Sequence, residues 1–117
     1  TQQAARRPIR PGVRGEEIFT AAEDVVRRSE FAADTHFVAH GMGLVSHEAP
    51  RLTSTGPVPY PNDHGALPLE PGMVLSIETT LLHPTRGFIK LEDTVVVTED
   101  GHHAFGDGAR GWSSAGG

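Results

Sequence analysis

The sequence predicts an α+β fold in which an amphipathic helix packs on a mostly antiparallel sheet. Three observations predict it. Apolar residues recur at helical spacing in one stretch, between Gly15 and about Ser29. After Phe31 the chain breaks into short apolar runs separated by glycine, proline and histidine. Fourteen glycines and nine prolines in 117 residues favour turns and short strands over a helical bundle. This length suits one domain at most. An apolar fraction of 37% with a charged fraction of 21% belongs to a chain that folds.

The elements follow in order. The start, Thr1 to Arg7, has no apolar stretch after its arginines and so does not read as a secretory signal. It has no initiator Met, and the chain is expected to be cut from something longer or processed. Pro8-Ile9-Arg10-Pro11-Gly12 reads as a turn, because proline lacks a backbone donor and glycine admits positive φ. In the helix, Ile18, Ala21, Ala22, Val25 and Val26 recur three and four residues apart. Glu16 and Glu17 near its start and Arg27 and Arg28 near its end suit the helix dipole. Phe37-Val38-Ala39 and Leu44-Val45 are expected strands flanking Gly41-Met42-Gly43. Ala49 to Leu69, rich in Pro, Ser, Thr, Asn and Gly, reads as a long loop. Met73 to Leu82 is the strongest strand, entered through Glu70-Pro71-Gly72. Met73, Leu75 and Ile77 are expected on one face and Val74 and Glu78 on the other. Pro84 to Gly87 turns the chain into strands Phe88–Glu92 and Thr94–Thr98, split near Asp93. Glu99-Asp100-Gly101 is a hairpin turn. His102 and His103 read as surface, and the tail, about 107–117, is expected to fray.

Composition excludes several functions. A net charge of −5 gives no general attraction to nucleic acid or anionic lipid. No apolar run approaches the roughly 18 residues of a membrane span. The absence of cysteine removes disulfides, thiolate catalysis and sulfur ligands. It fits a reducing compartment, and the cytoplasm is the expected location.

The chemistry gathers at three places. His36, His40 and His47 form a cluster, with Glu48 beside the last. Glu78 lies inside an otherwise apolar strand, and Glu92 lies in Phe88 to Thr94. An ionised carboxylate inside a strand loses its hydration unless a cation or several donors replace it. Two carboxylates facing each other across a short antiparallel turn repel, and one pKa rises unless a metal lies between them. Oxygen ligands with an imidazole suit Mn, Zn, Co or Fe. Each residue also has a plainer reading. A lone histidine is ordinarily solvated, strand alternation by default turns Glu78 to water, and Glu92-Asp93 reads as an exposed acidic pair. His64 reads as a loop residue.

Taken together, Ile9-Arg10-Pro11-Gly12, His40 to Pro50, Leu69 to Glu78 and Lys90 to Thr98 resemble the pita-bread metallopeptidases and their creatinase-like relatives, in order and spacing, from about Ile9 to Gly101. That family includes methionine aminopeptidase, Xaa-Pro aminopeptidase and Xaa-Pro dipeptidase. The resemblance implies a curved sheet, one half of a pseudo-symmetric pita-bread domain, with residues 1–117 as the C-terminal portion of the catalytic domain. It implies that His40, Glu78 and Glu92 are metal ligands, Glu92 bridging two divalent ions. It implies that His47 contacts substrate and aids proton transfer, and that His36 is a further active-site histidine. The implied reaction is hydrolysis of the N-terminal peptide bond of a small peptide, ahead of proline in some members. A second copy of the chain is a further expected partner. Departures exist. The family's two metal-binding aspartates have no counterpart in residues 1–8, and Asp24 and Asp34 lie after the turn. Thr79 stands where peptidases usually have proline, and Lys90 where proline-specific members often have arginine. Two alternatives stay open: a catalytically incomplete fragment, and a creatinase-like hydrolase or lyase acting on a small non-peptide substrate.

Overall fold

The computed structural model describes residues 1–53 and 63–111. Two helices, α1 (Gln2–Arg6) and α2 (Gly15–Val26), precede five strands: β1 (Thr35–Gly41), β2 (Glu48–Arg51), β3 (Val74–His83), β4 (Gly87–Val97) and β5 (His102–Phe105). The strands form one antiparallel sheet in the order β2-β1-β3-β4-β5. No helix among the described residues is long and apolar enough to cross a membrane.

The helix-on-sheet packing follows the apolar pattern. Ile18, Ala22 and Val26 of α2 are buried, and Ile18 and Ala22 share a core with Phe37, Ala39, Leu75, Ile77, Val95 and Val97 from the central strands. Removing a side chain such as Ile18 from water contributes about 1.5–3 kcal/mol. Val25 is 39% exposed, since it lies just off the buried stripe. The helix starts where Glu17 accepts the backbone N–H of Arg14 at 3.0 Å. It ends at Val26 rather than near Ser29, because the Arg28 and Ser29 N–H groups turn back to the Val25 and Val26 carbonyls in a tighter turn.

Several details differ from the sequence expectation; β2 takes up residues 49–51, the start of the stretch read as a long loop, of which residues 54–62 lie outside the described chain, and four more differ elsewhere. The first is α1, five residues long and held by tertiary contacts. Its Gln2 side chain donates to the Ile77 carbonyl at 2.7 Å and its Ala5 is fully buried. The second is Leu44-Val45, which is no strand. Residues 42–47 loop between β1 and β2, and the Glu48 carboxylate accepts the Val45 N–H at 3.2 Å. Third, β4 runs unbroken through Asp93, whose carboxylate receives Arg110 at 2.7 Å and Arg6 at 3.4 Å. With its charge answered by two guanidinium groups, an acid in mid-strand does not split it. Fourth, the start of the tail is ordered. Asp107–Ala109 forms a 3-10 turn pinned by Arg6 and Arg110, and residues 112–117 lie outside the described chain. His102 is also drawn in, its Nδ1 lying 3.0 Å from the Ile9 carbonyl.

The far ends of β3 and β4 stay open. Leu82, Phe88 and Leu91 are exposed there, beyond the reach of β5, which pairs only with Thr94–Val97.

Candidate metal centre

Alternation along the three central strands builds the site. Leu75 and Ile77 point to the α2 side, so Ser76 and Glu78 point to the other face. Register then brings partners to them. Glu78 pairs with Val38 on one side and Glu92 on the other, Ser76 pairs with His40 and Thr94, and Thr80 pairs with His36 and Lys90. Side chains directly opposite on antiparallel strands have Cβ atoms about 4.5–5.5 Å apart. His36, His40, Glu78, Lys90 and Glu92 therefore share one face.

Within that face the contacts are close. The Nε2 of His40, which is fully buried, lies 2.8 Å from Glu78 Oε1. Glu78 is 5% exposed. Its other oxygen is 2.8 Å from the Lys90 ammonium, which also lies 3.1 Å from Glu92 Oε2. The buried Ser76 hydroxyl donates to Glu92 Oε1 at 2.6 Å. His47, on the loop before β2, stacks on His40 with ring centroids 4.1 Å apart and a 19° interplanar angle. Its Nε2 is 3.8 Å from Glu78 Oε1. The His47, Lys90 and Glu92 side chains are partly open to water, so the site has a dry floor and a wet mouth.

Electrostatics follow from these contacts. Burial pushes the Glu78 carboxyl up, but hydrogen bonds from His40 and Lys90, with the charge of Lys90, outweigh it and hold Glu78 below its ordinary value. The Glu78 hydrogen bond raises Lys90 above its ordinary value against the opposing effect of burial, and Glu92 adds to the rise. The repulsion expected between the two acids is thus answered by a side chain of the same sheet.

The structure assembles the predicted residues unevenly. The donor atoms of His40, His47 and Glu78 all lie within 4.8 Å of one another. Glu92 joins them through Lys90 and Ser76. His36 lies on the same face, across from Thr80, outside that tight cluster. His64 is placed elsewhere, its ring accepting the Arg51 N–H at 3.0 Å. Asp24 pairs with Arg27 on the helix surface at 2.8 Å, and Asp93 faces the α1 side. Sequence reasoning missed the direct part of Lys90 and Ser76. The signal was parity: each is two residues from a singled-out glutamate.

The sequence profile of metallopeptidase family M24 matches residues 1–99. The chain is 42% identical over 101 residues to a probable dipeptidase PepE of Mycobacterium tuberculosis, covering 86% of this chain and 24% of that protein. It is 34% identical over 105 residues to a Xaa-Pro dipeptidase of Lactobacillus helveticus, covering 89% and 26%. The crystal structure of dipeptidase PepE from Mycobacterium ulcerans superposes with a TM-score of 0.71 at 36% identity, over 88% of this chain and 26% of that one. The chain belongs to metallopeptidase family M24, and its sheet and helix are part of the pita-bread fold. It spans about a quarter of the length of the curated relatives it matches. Membership implies use of a divalent metal.

The residues present fit such an ion. A neutral imidazole carries one N–H, yet the two ring nitrogens of His40 face two oxygens, Gly41 O at 2.9 Å and Glu78 Oε1 at 2.8 Å. With Nδ1–H donated to the Gly41 carbonyl, Nε2 presents its lone pair toward a carboxylate. Two acceptors at that separation call for a proton or a cation. The nitrogen-and-oxygen donor set, without sulfur, is one that Mn, Co, Zn or Fe accepts.

Proposed function

We propose that this chain is the C-terminal portion of one catalytic domain, in a protein that hydrolyses the N-terminal peptide bond of dipeptides and other small peptides. The observation that carries the reading is the convergence of His40, Glu78 and Glu92 on one sheet face, with the cation of Lys90 already between the two acids. His40, Glu78 and Glu92 would be the ligands. Divalent ions held there would supply an activated water and polarise the scissile carbonyl.

The residues of this chain do the rest. The Gly41 carbonyl lies 2.9 Å from His40 Nδ1 and fixes the ring, so that Nε2 would be the atom turned to an ion. Ser76 holds one oxygen of Glu92 in place, its hydroxyl donating at 2.6 Å. His47 stands at the mouth, half exposed, stacked on His40. From there its Nε2 can donate to the oxygen of the substrate carbonyl or pass a proton to the departing amine. His36 lines the same face further along β1. The name of the Lactobacillus relative, a Xaa-Pro dipeptidase, supports a preference for proline after the cleaved bond, and that of the Mycobacterium relative, a probable dipeptidase, supports dipeptide hydrolysis.

The test is metal binding and turnover on this chain, with Mn, Co and Zn against dipeptides with and without proline. Two-ion catalysis needs both ions on one water about 3.5–4 Å apart, and this chain alone supplies few ligands for a second ion. Weak binding of one ion, lost on His40→Ala, and negligible turnover are expected. No binding by the chain would remove the ligand assignment. Full turnover abolished by His47→Ala would show that the remaining ligands come from a second copy of the chain.

A further inference from the structure

We propose that Lys90 is a tethered cation that neutralises the acid pair while no ion is bound, and that a divalent ion enters by displacing its ammonium from Glu78. The proposal rests on the ligand assignment above. Lys90 is the sole lysine of the chain. Its position in β4 puts it on the site face, and its Nζ bridges Glu78 Oε2 and Glu92 Oε2 at 2.8 and 3.1 Å. Those oxygens belong to two residues in direct cross-strand register, so the ammonium lies where a bridging cation would be drawn.

Without that charge the sheet would hold a nearly buried carboxylate beside a second one, an arrangement that costs heavily in the dry face of a fold. Lys90 removes the cost with one positive charge against two negative ones. A dication answers both charges, and a third positive charge in contact with it would be repelled. The Lys90 side chain is 40% exposed, with open water on the mouth side. Its long, flexible stem lets a compact, strongly hydrated ammonium swing out. A guanidinium at the same position would bind both carboxylates through its planar fork and resist leaving. Ser76 keeps its hydrogen bond to the other oxygen of Glu92, so that acid stays aimed after the exchange. Lysine at this position therefore sets how readily the metal-free site loads.

The test uses the unmodified chain. Calorimetry with manganese establishes whether the ion binds. Acetylation by a water-soluble activated ester, read by mass spectrometry at the one lysine, reports whether Lys90 is engaged. The rate of acetylation is expected to rise about tenfold in saturating manganese, the change that follows from moving a mostly paired group to a mostly free one. In a parallel arm, Lys90→Met should bind manganese about tenfold more tightly than the unsubstituted chain and melt at lower temperature in chelator. Lys90→Arg should keep its melting point in chelator and bind more weakly. Manganese binding with an unchanged acetylation rate, or with equal affinity in Lys90→Met, overturns the proposal and leaves the ligands standing. No manganese heat from any of the three proteins overturns the ligand assignment and this proposal with it.

Discussion

Ser76→Ala tests the link between the core of the sheet and the site. Ser76 is fully buried, yet its hydroxyl donates at 2.6 Å to Glu92, whose side chain is 32% exposed. A hydrogen bond to a charged acceptor contributes about 1.5–3 kcal/mol. Water can replace the lost donor at the exposed carboxylate, which brings the expected loss down to about 1 kcal/mol. Removing one oxygen leaves almost no cavity, so little else is lost. For a domain near this size, that is a fall in melting temperature of about 4–6 °C. The assay is thermal unfolding of Ser76→Ala, Glu92→Ala and the double substitution. If the hydroxyl acts through Glu92, the two losses couple by about 1 kcal/mol. Manganese affinity should also fall in Ser76→Ala, because Glu92 loses its anchor. Additive losses, with affinity unchanged, would refute the reasoning and leave Ser76 as a space-filling residue.

Other outcomes follow from single contacts. Ile18→Ala, which opens a cavity between α2 and the sheet, should cost about 2–5 kcal/mol in urea unfolding; a loss well under 1 kcal/mol would mean that α2 does not seal the core. Gly41→Ala sets a methyl group against the Ala49 carbonyl. It should push β2 and the His47 loop away from His40 and weaken manganese binding, whereas an unchanged affinity would separate the loop from the site. The Arg6 hydrogen bond holds the Asp107 carboxyl below its ordinary value of 3.8. A depressed folded-state value means that the stabilisation is complete above the unfolded-state pKa and is lost as pH falls through the folded one. The gap in urea midpoint between the unsubstituted chain and Asp107→Asn should hold from about pH 7 to pH 5 and narrow below about pH 4. A gap that widens with acid would contradict the pairing.

The parts of the fold written in short-range pattern were legible in the sequence. Ile18, Ala22 and Val26 announced α2 through spacing, and the alternation of Leu75, Ile77 and Glu78 announced the two faces of β3. Residues governed by distant partners were not. Nothing local in Gln2 to Arg6 marks a helix, because what holds it is an amide reaching the Ile77 carbonyl 75 residues away. Asp93 looked like a break, since the two arginines that keep it in the strand come from the ends of the chain. In the site, the short turn between two antiparallel strands was the legible feature that sets Glu78 opposite Glu92. The stacking of His47 on His40 depends on a loop, where parity carries no information.

Arg6 and Arg110 meet Asp93 and Asp107 at one spot, joining residues 101 positions apart at 2.7 Å. In contact terms the described chain is nearly circular. Closing a loop of that length is among the slowest and most entropically costly steps a small domain takes, so this clasp should form after the hairpin of β3 and β4. A dye pair on residues near the two ends would report the completion of folding rather than its onset. Its signal would also open first when the sheet begins to come apart, well before Glu92, one residue from the clasp, loses its place.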